Sequence, residues 1–189
     1  MITRAEILIS LYGAWRLLIR DPRGIEWLDN SIEGYWKSFF CAVVVLPGYL
    51  LWFAFSVYDT SFDAGPFRIL FVESISYVIG WVAWPLLMAY IAPALDRDRN
   101  YIRYIVAYNW SAGISMVFYL VILAIRLTGV APEGIMALFS FIALVVILSY
   151  HWYVLCIALE VSPGAAAGLV AGDFVLSQII SGISRIVMY

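Results

Sequence analysis

The chain has 189 residues, of which 65% are hydrophobic and 13% charged, with a formal charge of −2 and a mean hydropathy of +0.94. Soluble domains are typically about 45–50% apolar and about 25% charged, so an ordinary water-soluble globule is excluded. No basic cluster points to nucleic acid, and no Ser-, Gly- or charge-rich linker divides the chain, so one compact unit is expected.

Residues 3–20 read as an amphipathic helix. Thr3, Glu6, Ser10, Gly13, Arg16 and Arg20 share one stripe at about 100° per residue, and Ile7, Leu8, Leu11, Tyr12, Trp15, Leu18 and Ile19 cover the rest. A helix too polar to span and too apolar to float belongs in the headgroup boundary. Glu6 and Arg16 interrupt the apolar stretch and no small-x-small site follows, so a cleaved secretory signal is not expected. Asp21-Pro22-Arg23-Gly24 stops the helix, and Asn30 with Glu33 three residues on resembles a capping box for the next one. Trp15, Arg16, Arg20, Trp27 and Trp36 are the expected membrane-interface residues. Residues 1–37 thus form a cytoplasmic amphipathic segment, and 38–189 a transmembrane domain.

Five apolar runs follow, at about 39–58, 70–91, 104–125, 134–159 and 164–187. Each supplies the roughly 20 residues at 1.5 Å rise that a bilayer core of about 30 Å requires. They must be helices, because lipid offers backbone N–H and C=O groups no partner. Pro47 and Pro85 fall inside spans and mark kinks, and the fourth run is long enough to need tilt or an extension. Arg4, Arg16, Arg20, Arg23 and Lys37, with Arg97, Arg99 and Arg103, lie on one side, against Arg68, Arg126 and Arg185 on the other. That imbalance predicts a cytoplasmic N-terminus and a C-terminus on the opposite side. The fold class is therefore an all-α polytopic bundle of five transmembrane helices preceded by an interfacial helix.

Asp173 lies about ten residues into the fifth run, where an ionised carboxylate costs roughly 2.5–3.5 kcal/mol. His151, the only histidine, lies in the fourth. Ser162-Pro163-Gly164 joins the two runs, and both residues are equidistant from Ser162, which puts them at one depth of an antiparallel hairpin. Such a pair reads either as a proton-titrating site or as a structural interhelical hydrogen bond. Asn109, Ser111 and Gln178 are candidate supporting polar groups. Gly164, Gly168 and Gly172 form a doubled GxxxG suited to close helix packing, within the chain or between chains. Glu73 and Glu160 lie near span ends, within reach of the interface. Asp96-Arg97-Asp98-Arg99 reads as a solvated connector. Cys41 and Cys156 stand alone in apolar runs and read as buried hydrophobes. No phosphate loop, HExxH or GxSxG occurs, so no catalytic residue, metal or cofactor is expected.

Three segments together resemble the Yip family of small five-span membrane proteins, including its bacterial branch. They are Arg103-Tyr104-Ile105-Val106-Ala107-Tyr108-Asn109-Trp110-Ser111, His151-Trp152-Tyr153-Val154-Leu155 through Ala158-Leu159, and the small-residue stretch from Ser162 to Ala171. The resemblance spans roughly residues 35–185 and implies a non-enzymatic integral protein. Eukaryotic members are associated with vesicle trafficking and small GTPase partners, and this chain departs from them in lacking their long N-terminal extension. Arg-dominated, short loops suit a bacterial inner membrane. The expected function is a scaffold, accessory subunit or membrane-organising factor, with the lipid bilayer and a membrane-protein partner or second copy as its contacts. The alternative is a small transporter or channel with proton coupling through His151 and Asp173.

Overall fold

A computed structural model describes residues 2–59, 62 and 64–188. Among these there is no β-strand, and five helices are long and apolar enough to cross a membrane.

The N-terminal segment begins with α1 (Arg4–Leu18). Thr3 and Glu6 cap it reciprocally: the Glu6 amide donates to Thr3 Oγ1 at 3.2 Å and the Thr3 amide to Glu6 Oε2 at 2.6 Å. Both satisfy amides that a helix start leaves unpaired. Arg20 adopts φ 65° and the chain turns into a 3₁₀ stretch, Pro22–Trp27, capped by Asp21. The stretch folds back so closely that a Cβ on Gly24 would lie 2.6 Å from Gly13 O, and one on Gly13 2.8 Å from Gly24 O. Only two glycines permit that backbone contact. Arg16 pairs with Asp21 across the turn. This pairing, led by the Arg16 hydrogen bond, holds the Asp21 carboxyl down at about 2.

The orientation of α1 follows from which side chains can lie against a helical bundle. Ser10, Gly13, Ala14 and Leu17 are buried, and Tyr150 donates to Ala14 O at 2.7 Å. Leu8, Ile9, Tyr12, Trp15 and Ile19 stay exposed, Leu8 at 67%. The small residues and Leu17 face the protein, and Leu8, Ile9, Tyr12, Trp15 and Ile19 face outward. Leu11 turns inward, and a Cβ on Gly113 would sit 2.8 Å from its Cδ2.

The next helix, α2 (Ile32–Ser38), is capped one residue later than Asn30 and Glu33 suggest. Ser31 Oγ accepts from the Gly34 amide at 3.0 Å. The Asp29 carboxylate accepts from the Ser31 amide at 3.0 Å, and Asp29 O lies where a Gly34 side chain would begin, 1.9 Å from its ideal Cβ. A turn at Phe39-Phe40, tightened by i→i−3 hydrogen bonds, leads to α3 (Cys41–Asp59). The first candidate span, Ile32–Tyr58, thus joins α2 to α3, and α3 covers the apolar run from about residue 39 to 58.

Four long helices follow: α4 (Pro66–Ala94), α5 (Tyr101–Thr128), α6 (Glu133–Val154) and α7 (Pro163–Met188). Pro47, Pro85 and also Pro93 lie inside helices. The long fourth run ends in a widened π turn, Leu155–Leu159, and Glu160 at φ 59° closes it. Its last carbonyls are not left to solvent. Arg103 Nε donates to Ala158 O at 2.7 Å, Asn100 Nδ2 to Leu159 O at 3.1 Å and Arg97 Nε to Glu160 O at 2.8 Å. Arg103 also pairs with the Glu160 carboxylate at 2.5 Å, whose pKa this hydrogen bond lowers. Arg97 therefore belongs to a cap on α6, which the reading of its loop as a solvated connector missed. Cations at a helix C-terminus also oppose its dipole favourably.

Helix α5 is the hub: α1, α2, α3, α4 and α6 all pack on it. Tyr104, Ile105, Val106, Ala107 and Trp110 on α5 are buried with Trp84 and Met88 of α4 and Tyr150 and Val154 of α6. Cys41 is buried and Cys156 half-buried, both as free thiols. Helices α3 and α4, adjacent in sequence, do not pack along each other. α3 leans on α5 and α4 on α7, which leaves a gap between them.

Candidate functional site

The gap is a cleft of about 450 Å³ bounded by α3, α4, α5 and α7. Its inner end is built on the α6–α7 hairpin, whose turn is fixed by the Ala166 amide bonding Ser162 O at 2.9 Å. This places His151 Nδ1 3.9 Å from Asp173 Oδ2. Helix α5 adds Tyr108, whose hydroxyl lies 3.1 and 3.3 Å from the two Asp173 oxygens. It also adds Ser115, 3.4 Å from His151 Nε2. One turn from Tyr108, Tyr104 accepts from Trp84 Nε1 at 2.7 Å. Side chains from four helices thus converge on or beside one carboxylate.

Tyr104, Tyr108, Ser115 and Tyr119 recur at helical spacing and share a face of α5. Asn109 lies off that face, whereas Ser111, three residues after Tyr108 and four before Ser115, lies on it; neither is hydrogen-bonded to His151 or Asp173. Asn109 Nδ2 donates to Ser38 Oγ at 2.8 Å, its buried Oδ1 is unpartnered, and Ser111 Oγ donates to its own helix at Tyr108 O. Gln178 is exposed on α7. The supporting network consists instead of Tyr108 and Ser115.

Toward the other end of the cleft stands Glu73, which turns into the bundle and not to the interface. Tyr49 of α3 donates to its Oε1, and Ser184 of α7 to its Oε2 at 3.3 Å. Tyr77 lies tilted beside Tyr49, with 4.5 Å between ring centroids, and donates to Ala42 O at 2.6 Å. On α7, Ser184 lies roughly 16 Å from Asp173 at 1.5 Å per residue. The cleft therefore carries carboxylates at two depths. Arg185, exposed on α7, contributes to its wall. No sequence signal reveals Glu73 as an inward group, because rotation about a helix near a span end is not encoded by apolar length.

The other candidate residues fall elsewhere. A Cβ on Gly164 or Gly168 would meet nothing within 4 Å, and one on Gly172 only the Trp84 ring at 3.8 Å. The ridge does not pack closely inside the chain. Trp15, Trp27 and Trp36 are exposed. Arg16 is engaged with Asp21. Arg20 donates to Ser149 O at 2.8 Å and stacks on Tyr153 at 4.8 Å. Both guanidiniums thus bind protein groups. Among the described residues, no three His, Cys, Asp or Glu side chains are grouped to hold a metal ion.

These features define the class coarsely: an all-helical chain with five helices of membrane-spanning length around a partly polar cleft. Comparison with models of known families, with curated proteins and with solved structures found no match.

Proposed function

We propose that the chain is an integral membrane protein that binds a small solute within the bundle and carries it across the bilayer, with Asp173 and His151 as the proton-responsive floor of the site. One observation carries this reading: two carboxylates, Asp173 and Glu73, face a shared cleft within five apolar helices. A carboxylate at membrane depth costs roughly 2.5–3.5 kcal/mol and by default marks a pathway or site. A purely structural pair would need no cavity beside it, whereas this one borders about 450 Å³. With the Arg-rich end cytoplasmic, the Glu73 end of the cleft faces the other side, and a bacterial inner membrane suits the short loops. The test is solute flux in proteoliposomes under an imposed pH gradient. Wild-type protein should show gradient-dependent flux that Asp173→Asn abolishes while the variant still elutes as a folded species. Equal flux in both proteins would end the reading.

A second reading, the scaffold or accessory subunit that the Yip resemblance implies, is favoured by a different observation. The Gly164–Gly168 face is bare, and α1 presents an exposed apolar stripe. In that reading the ridge receives a helix of a membrane-protein partner or a second copy, and α1 lies among headgroups. Cross-linking in native membranes would yield a stoichiometric adduct through residues 1–37 or 95–104. Isolation of the chain alone would remove the support.

A further inference from the structure

We infer that the ligand of the cleft is a lipophilic organic cation, an inference that rests on the cleft being a solute site. The cleft's volume of about 450 Å³ falls in the range of roughly 300–1,000 Å³ typical of small-molecule sites, and far exceeds what a bare ion fills. The walls then decide the ligand's charge. Glu73 and Asp173 supply acceptor oxygens. A carboxylate has about four acceptor sites, and a tyrosine hydroxyl has one proton to give. Tyr108 on Asp173, and Tyr49 with Ser184 on Glu73, therefore leave acceptor capacity on both carboxylates.

The aromatic walls point the same way. Trp52, Trp81, Trp84, Tyr49 and Tyr77 line the cleft. The polar hydrogens of three of them are already used within the protein: Trp84 on Tyr104, Tyr77 on Ala42 O and Tyr49 on Glu73. What these rings offer a ligand is their faces, which attract cations through the ring quadrupole. An anion would meet two carboxylates and find its charged donors limited to Arg185, exposed on α7, and His151, which sits beside Asp173. An aromatic cage with carboxylates at two depths suits a single hydrophobic cation that passes from Glu73 to Asp173.

The test uses two ions of nearly the same shape and opposite charge, tetraphenylphosphonium and tetraphenylborate. Each is measured against the full-length chain by equilibrium dialysis, corrected for empty micelles, with tryptophan quenching as a second readout. The phosphonium should bind at least about tenfold more tightly than the borate, as expected for a desolvated charge near carboxylates. Asp173→Asn should weaken it by about tenfold, and Trp52→Leu, which leaves every charge in place, by about threefold. Should Asp173→Asn fail to fold, Glu73→Gln, Trp52→Leu and the wild-type ion pair still decide. Equal or tighter binding of the borate would overturn the cation assignment and leave the cleft a solute site. Phosphonium binding untouched by all three substitutions would place that ion outside the cleft and likewise overturn the assignment. Binding of neither ion would overturn the assignment and remove the support for the cleft as an aromatic-walled solute site.

Discussion

Where α6 finishes, Arg103 meets Glu160 at 2.5 Å and Arg97, Asn100 and Arg103 occupy the last carbonyls. Nearby, Arg16 meets Asp21, and Lys37 meets Glu6 at 2.5 Å. In the cleft, Glu73 has two hydroxyl donors, while Asp173 has one hydroxyl and an imidazole at 3.9 Å. Among the described residues no Lys or Arg pairs with either carboxylate. The same side-chain types are thus saturated with cations at one end and left short of them at the other. Charge matched within the chain is explained by the fold alone. Charge left with spare acceptor capacity beside a cavity is explained by something that arrives.

If the saturated end is architecture, its disruption should cost stability, and the most severe case needs no charge at all. Gly34→Ala would place a methyl 1.9 Å from Asp29 O. The start of α2 must then leave its seat, at about 3 kcal/mol or more. The expected outcome is a large fall in apparent melting temperature or loss of monodisperse protein in detergent. An unchanged melting curve would show that α2 is not anchored on Asp29.

The comparison sharpens with a pair of substitutions. Arg103→Leu removes two carbonyl bonds and a partly exposed ion pair, which together should cost about 1–2 kcal/mol. Ligand affinity in the cleft should hardly move. Asp173→Asn should do the opposite, with affinity lost and the melting curve nearly unmoved. Thermal unfolding and dialysis on the same two variants give both readouts. If both variants lose stability and affinity together, the two ends are not separable.

Acid should loosen the N-terminal hairpin before the rest. Hydrogen bonds from Lys37, first, and from Thr3 hold Glu6 at about 2 against an ordinary 4.5, and Arg16 holds Asp21 at about 2 against 3.8. A depressed folded-state pKa stabilises fully above the unfolded value and is lost as pH falls through the folded one. These contacts should therefore be intact above about pH 5 and fade toward pH 2. Amide exchange in residues 4–27, corrected for its intrinsic pH dependence, should rise over that window and change little between pH 6 and 8.

Much of this contrast was legible in the amino-acid order, and the part that was not has a physical cause. Apolar length located all five long units within a few residues, because a bilayer-sized run is a one-dimensional property. Asp173 and His151 stood out as polar residues in apolar runs, and the Ser162 turn fixed their common depth. Rotation was not encoded. Glu73 read as a span-end residue until Tyr49 of α3 and Ser184 of α7 were set around it. The stripe of α1 could be drawn, but not that Ser10, Gly13 and Ala14 would face protein while Leu8 and Trp15 faced out.

The smallest effect discriminates best between the two functional readings. Gly168 lies inside α7 with open space where its side chain would be. Alanine there should stabilise the monomer by roughly 0.5–1 kcal/mol, because glycine in a helix interior carries an entropic cost that alanine avoids. If the ridge is merely lipid-facing, Gly168→Ala should raise the melting temperature slightly and leave mass, binding and flux unchanged. If a helix of a second copy or a partner sits on it, the same methyl occupies the contact itself. The complex should then weaken although each chain is intrinsically steadier. Opposite signs for chain stability and complex mass would establish an intermolecular ridge, whereas a uniform small gain would leave the cleft as the feature that accounts for the fold's expense in buried carboxylates.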